Sequence, residues 1–194
     1  FTYNLTLNKL DQNYQPTEGH LASFKQVLPI YSDDLSIENT INLSKYYSVS
    51  DNLILSGKFF LRAVNSIDDD VRVSRRVYIP SSKLRGFESG KIGPKDGEEY
   101  VGGNFGSALN LSSTLPNFFS GFEDIDLNLF FDAATLREVD YDSSLESQKI
   151  RSSTGISVNW FTVIGPLTFS YALPISKVET DKTESFRFRI GTSF

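Results

Sequence analysis

The sequence predicts an all-β fold, an antiparallel transmembrane β-barrel to which these 194 residues contribute about nine strands. Apolar and polar residues alternate with a period of two in run after run, which is typical of strands that have one apolar face. Each run is about ten residues long, which suits a tilted membrane-spanning strand better than the roughly five or six residues of a soluble strand. The connections alternate between short turns and longer polar stretches, as they do in transmembrane barrels.

The last predicted strand shows this alternation clearly. Phe186, Phe188 and Ile190 alternate with polar residues such as Arg187, and the chain ends at Phe194. We expect the apolar side chains to face lipid and Phe194 to lie in the aromatic girdle at the membrane boundary. The predicted strands are 1–10, 20–30, 37–49, 52–64, 100–114, 122–135, 152–163, 166–177 and 184–194.

The longest connection, 65–99, is predicted to be an external loop. If the chain ends in the periplasm, nine strands place Phe1 on the external side, whereas a natural single-chain bacterial barrel has an even number of strands. We therefore expect the chain to be the C-terminal portion of a larger barrel. A soluble β-sandwich would also alternate, but with shorter strands and a less regular succession of loops.

The composition excludes several classes of function. The net charge is −5 and the basic residues are scattered, so nucleic-acid binding has no support. The absence of cysteine excludes disulfides, zinc–thiolate sites and thiol chemistry. His20 is the only histidine and follows a predicted turn, so no Ser-His-acid cluster can be read from the sequence. We expect neither an enzyme nor a cofactor.

The long loop carries the motif Leu84-Arg85-Gly86-Phe87. This motif resembles the (V/I/L)-R-G-F loop of the outer-membrane barrel-assembly superfamily, also called the bacterial surface antigen superfamily. The resemblance runs almost from end to end, because further segments match in the family's order. They are Lys9–Asp11 with Pro16–Gly19, Phe130–Asp132, Gly165–Leu167 and Phe186–Phe194.

The resemblance implies that the loop folds back into the barrel and that Arg85 pairs with acidic groups on the wall. A planar guanidinium can hold a carboxylate through two hydrogen bonds, which lysine cannot do. Asp132 matches the family's wall carboxylate, and alternation turns it inward. Asn110 also faces inward and stands where the family often has a second carboxylate, so we expect it to accept a single hydrogen bond.

The function implied by the resemblance is the assembly and insertion of β-barrel proteins into the bacterial outer membrane. The last strand would pair weakly with the first strand of the whole barrel, and this seam would open sideways. The implied partners are nascent outer-membrane proteins, accessory lipoproteins and the lipid bilayer. The alternatives are a related pore that secretes proteins and a passive outer-membrane channel.

Overall fold

Nine strands form one antiparallel sheet in which almost every strand lies beside its neighbours in the chain, in the order β1-β2-β3-β4-β7-β8-β9-β10-β11. The computed structural model describes residues 1–29, 35–67, 70–119, 121, 124–145, 148–163 and 165–191. The sheet strands are β1 Thr2–Asn8, β2 Gly19–Val27, β3 Ser36–Ser50, β4 Leu53–Ser66, β7 Phe105–Leu115, β8 Ile125–Arg137, β9 Arg151–Thr162, β10 Gly165–Ser176 and β11 Phe186–Ile190. A separate two-stranded hairpin, β5 Lys95–Asp96 with β6 Glu99–Tyr100, lies within the long connection between β4 and β7.

The predicted fold class is confirmed, and every predicted strand is present with shifted ends. The strand predicted at 100–114 begins only at Phe105, because Tyr100 belongs to the short hairpin. His20 lies on β2 and is not part of the preceding turn. The last strand is described from Phe186 to Ile190, and Phe194 lies outside the described residues.

The sheet is open in the described residues, with β1 and β11 at its two edges. It is nevertheless strongly curled. The ring of Tyr14, in the turn between β1 and β2, lies 5.9 Å from the ring of Phe161 at the end of β9. This curl gives the sheet a concave inner face and a convex outer face.

Cross-strand register separates the two faces. One row on the outer face crosses four strands and consists of half-exposed apolar residues, namely Leu129, Ile156, Tyr171 and Phe186. A polar row on the inner face crosses β4, β7, β8 and β9, and consists of Lys58, Asn110, Asp132 and Ser153. Because paired residues share a face of the sheet, each row follows directly from the alternation in the sequence.

The buried core lies on the inner face, between the sheet and the long connection. The loop contributes side chains that are at most 2% exposed, namely Val71, Val77, Ile79, Leu84, Phe87 and Ile92. The sheet contributes Val64, Ala108, Ala134 and Leu136, with Phe60 packed against them. Full burial of a large apolar side chain contributes about 1.5–3 kcal/mol, so the loop is held firmly against the inner face.

Helical structure is minimal in the part of the chain that the structure describes. It contains a 3-10 turn at Ser143–Leu145. No helix in the described ranges is long and apolar enough to cross a membrane.

Spin labels on neighbouring residues of the last strand test which face of the sheet meets lipid. Phe188 is 46% exposed on the outer face, whereas Arg187 faces inward and pairs with Glu184. We expect a label at Phe188→Cys in membranes to be accessible to lipid-soluble oxygen, and a label at Arg187→Cys to be shielded from it. If the label at position 187 were the more accessible to oxygen, the assignment of the two faces would be wrong.

Candidate loop clamp on the inner face of the sheet

The candidate site forms where the long loop meets the middle of the inner face. Strand β8 presents Asp132 inward, and β7 places Asn110 directly beside it as its cross-strand partner. The loop brings Arg85 to Asp132, although the two residues lie 47 positions apart in the chain. The site therefore joins a loop cation to a wall carboxylate that has an asparagine beside it.

The carboxylate of Asp132 accepts three hydrogen bonds from Arg85, and these close the loop onto β8. Its Oδ2 accepts hydrogen bonds from Nε of Arg85 at 2.7 Å and from the backbone N–H of Arg85 at 3.0 Å. Its Oδ1 accepts one from Nη2 of Arg85 at 2.7 Å. The side chain of Asp132 has no exposed surface, so its charge is compensated by hydrogen-bond partners within the protein. Such a bidentate pair fixes the angle of the guanidinium as well as its distance.

Phe130, two residues before Asp132 on β8, packs its ring against the flat face of the Arg85 guanidinium. The guanidinium carbon lies 3.5 Å from the centroid of the Phe130 ring. A planar cation over an aromatic face gains both electrostatic attraction and packing area. One strand therefore supplies the anion at the end of the guanidinium and the ring beneath it.

Asn110 takes a different role from the one expected. Its side-chain amide donates hydrogen bonds to Oδ1 of Asp132 at 2.8 Å and to the carbonyl of Lys83 at 2.9 Å. The sequence predicts that Asn110 accepts a single hydrogen bond, whereas it donates both of these. A neutral amide beside a buried carboxylate is most stable with its N–H groups directed at the negative oxygen. Asn110 thus adds a donor to Asp132 and a second tether to the loop.

The other three residues of the motif hold the loop on either side of Arg85. Leu84 and Phe87 are each 1% exposed and belong to the apolar core. Gly86 has a φ of +88°, and a Cβ there would lie 3.1 Å from the Cβ of Ala172 and 3.3 Å from that of Ser153. Only glycine adopts this conformation without strain at such a close approach. Ser153 also donates a hydrogen bond to the carbonyl of Arg85.

A second ion pair, which the sequence analysis missed, ties β9 to the connection before the last strand. Nε of Arg151, at the start of β9, lies 3.1 Å from Oδ2 of Asp181, and neither side chain has exposed surface. The Asp181 carboxylate also accepts hydrogen bonds from the backbone N–H groups of Gly93 and Val178. One buried anion therefore joins β9, the long loop and the connection between β10 and β11.

A third ion pair, also missed, joins the long loop to the connection after β8. Nη2 of Arg76 lies 2.7 Å from Oδ1 of Asp140. Oδ2 of Asp140 accepts hydrogen bonds from the N–H of Val71 at 2.6 Å and from the amide of Asn104 at 2.9 Å. Burial tends to raise the pKa of Asp140, but the hydrogen bonds and the charge of Arg76 outweigh it, so this pKa lies below its ordinary value.

The terminal strand lies apart from the clamp. Phe186, Phe188 and Ile190 are 58%, 46% and 62% exposed on the outer face of β11. In the described residues β11 pairs with β10 alone, through five facing pairs from Leu167↔Ile190 to Tyr171↔Phe186. These three side chains and the loop clamp therefore lie on opposite faces of the sheet.

No group of three or more His, Cys, Asp or Glu side chains that could hold a metal ion occurs among the described residues. The chemistry that the site offers is a set of charge-assisted hydrogen bonds between a loop and a wall. Such a site can hold two segments of the chain in one arrangement.

Comparisons with known proteins identify the family to which the chain belongs. The model of the Omp85 superfamily domain matches residues 1–194. The chain is 27% identical to outer membrane protein assembly factor BamA of Neisseria meningitidis serogroup B, over 96% of the chain and 28% of that protein. It is 29% identical to BamA of Nitratidesulfovibrio vulgaris, over 96% of the chain and 24% of that protein. It thus spans about a quarter of the length of these relatives.

A solved structure shares the fold. The crystal structure of BamA from Haemophilus ducreyi lacking POTRA domains 1-3 superposes with a TM-score of 0.88 at 28% identity, covering 96% of this chain and 41% of that one. The open sheet therefore corresponds to part of a BamA barrel, and the relatives indicate the bacterial outer membrane as its location. The chain belongs to the Omp85 superfamily of outer-membrane β-barrels.

Proposed function

We propose that this chain is the C-terminal part of a barrel that assembles and inserts β-barrel proteins into the bacterial outer membrane. The supporting observation is the loop clamp, in which Arg85 of the Leu84–Phe87 motif is held by Asp132. The relatives named as outer membrane protein assembly factors support the same activity.

The proposed mechanism depends on the edge of the sheet at β11. A strand with one neighbour leaves a row of backbone N–H and C=O groups unpaired, and such groups are costly in lipid. A strand of a nascent outer-membrane protein can satisfy them by adding to the edge. The seam at Phe186, Phe188, Ile190 and Phe194 opens sideways to admit it. This process needs a strand edge and a disturbed bilayer, and it uses no nucleophile or cofactor.

The clamp keeps the buried apolar residues of the loop on the inner face while strands of nascent proteins pair with the edge at β11. With Arg85 bound to Asp132, the loop lies against β8 and β9 and supports the wall from within. Client strands would therefore be received at the edge and not through the lumen. The proposed partners are nascent outer-membrane proteins, the bilayer and accessory lipoproteins.

The alternative functions fit the inner face less well. A passive channel or a secretion pore needs an open lumen, whereas ten buried apolar residues of the loop and the sheet fill this inner face.

Arg85→Lys tests the clamp. Lysine keeps the charge but loses the paired hydrogen bonds, each of which contributes about 1.5–3 kcal/mol when a charged group takes part. We expect slower insertion of outer-membrane barrels in cells and faster proteolysis of the loop in purified membranes. The control is Arg72→Lys, the same substitution at an exposed arginine of the same loop. Full insertion and unchanged protection in Arg85→Lys would count against the clamp.

The Arg76–Asp140 pair predicts an acid-sensitive loop. Because the pKa of Asp140 in the folded chain is below its ordinary value of 3.8, its stabilising contribution is complete above that value. It is lost as the pH falls through the lowered pKa. We expect amide exchange at Val71, corrected for intrinsic rates, to be steady from neutral pH to about pH 5 and to accelerate in strong acid.

The control for this measurement is a matched pair of variants. Asp140→Asn should remove the part of the acid response that Asp140 contributes, whereas Asp142→Asn, at a half-exposed position two residues later, should leave exchange at Val71 unchanged. An acid response at Val71 of the same size in Asp140→Asn and in the unmodified chain would show that the carboxylate is not responsible.

A further inference from the structure

The residues that lead into the terminal strand are hydrogen-bonded to the long loop. The N–H of Glu184 donates to the carbonyl of Gly86 at 3.1 Å, and the N–H of Glu88 donates to the carbonyl of Lys182 at 3.0 Å. Phe87 and Thr183 lie between these bonds as an antiparallel bridge. The motif that carries Arg85 therefore continues directly into a short ladder with residues 182–184.

Strand β10 is long enough to bind the same residues but does not. It runs to Ser176 and remains paired with β9 over its whole length. On the other side of β10, the N–H of Ala172 donates to the carbonyl of Ser185 at 2.8 Å. The residue before Ser185, Glu184, donates its N–H to the loop. Thr183, the next residue whose backbone groups would turn toward β10, forms a bridge with Phe87 of the loop. The rest of the β10 edge is therefore left without the terminal strand.

Pro174 explains why β10 is the weaker competitor beyond Ala172. In an antiparallel continuation of the observed register, Pro174 would face Thr183. Proline has no N–H, so one of the two hydrogen bonds of that pair cannot form. The loop offers both an acceptor at Gly86 and a donor at Glu88.

Asp181 anchors the segment on the side of the loop. It immediately precedes residues 182–184, and its buried carboxylate holds Arg151 together with the N–H of Gly93 in the loop. The hydroxyl of Tyr100, in the loop hairpin, donates to the carbonyl of Thr180. Releasing the segment toward β10 would separate a buried charge from these partners, which is strongly unfavourable.

We infer that the long loop and β10 compete for residues 182–184. Asp181 is the positioning residue that, together with Pro174, holds this segment on the loop and so fixes where the terminal strand begins. Replacing Asp181 or Pro174 therefore lengthens β11 along β10. A longer β11 would give strands of nascent proteins a longer edge to pair with, and this consequence rests on the proposed function. The competition between the loop and β10 does not rest on it.

Engineered cysteine pairs can report both arrangements, since the chain has no cysteine of its own. Facing residues of antiparallel segments lie about 4.5–5.5 Å apart, within disulfide range. Glu88→Cys with Lys182→Cys reports pairing with the loop. Leu173→Cys with Glu184→Cys reports the lengthened strand. Tyr171→Cys with Phe186→Cys reports the pairing common to both, and serves as the folding control.

The measurement is oxidative cross-linking in outer-membrane vesicles, with each pair placed in the unmodified protein, in Asp181→Asn and in Pro174→Ala. We expect the loop pair to dominate in the unmodified protein. In each variant the ratio of lengthened to loop cross-link should rise on the order of tenfold, equivalent to about 1.4 kcal/mol. Glu179→Gln, at an exposed acid in the same connection, should leave the ratio unchanged.

The inference is overturned if the ratio stays at the unmodified level in variants that keep the common cross-link. It is also overturned if the lengthened pair already dominates in the unmodified protein. Loss of the common cross-link in Asp181→Asn would show that this variant has failed to fold. The result for Pro174→Ala, which removes no charge, then decides whether the inference holds. The assay contains no client, so a failure of the proposed insertion activity would leave its result unaffected.

Discussion

The carboxylate of Asp132 has no exposed surface, and it lies on the inner face of a sheet whose other face is apolar. A buried charge of this kind is tolerated only when a fitting cation and additional donors surround it. Arg85 and Asn110 supply both, and Arg85 can do so only if the loop lies on the sheet. Leu84 and Phe87 are then placed in the core, and Gly86 is brought close to β9 and β10. The path of the Leu84–Phe87 motif follows from this interaction.

The molecule is organised as a sheet that is apolar on its outer face and packs a loop on its inner face. Because the apolar residues of the outer face are exposed, that face does not supply the protein's own core, and the loop provides it instead. The half-buried pair Arg76–Asp140 and the buried pair Arg151–Asp181 hold the two ends of the loop region, with the Arg85 clamp between them. Each pair uses a different segment, so the loop is tied to β8, to the connection between β8 and β9, and to the connection that leads into the terminal strand.

Much of this arrangement could be predicted from the sequence, and the remainder could not for identifiable reasons. Alternation with a period of two located the strands and turned Asp132 inward, and the motif around Arg85 indicated its partner. Arg151 and Asp181 stand 30 residues apart, and Arg76 and Asp140 stand 64 apart, so no local period connects them. The direction of the Asn110 amide depends on a charge that only the folded register places beside it. Strand ends depended on competing partners, as at Phe105.

A double-mutant cycle between Arg85 and Asp132 tests the central role of the buried carboxylate most directly. The quantity to measure is the free energy of loop opening, from hydrogen exchange at the N–H groups of Glu88 and Glu184, in Arg85→Met, Asp132→Asn and the double variant. Residues in direct contact within one network couple by about 0.5–3 kcal/mol, and we predict a coupling in the upper part of that range. The double variant should also open less readily than the sum of the single effects implies. Strictly additive effects, with a coupling near zero, would contradict the account, because the loop would then be held without the clamp.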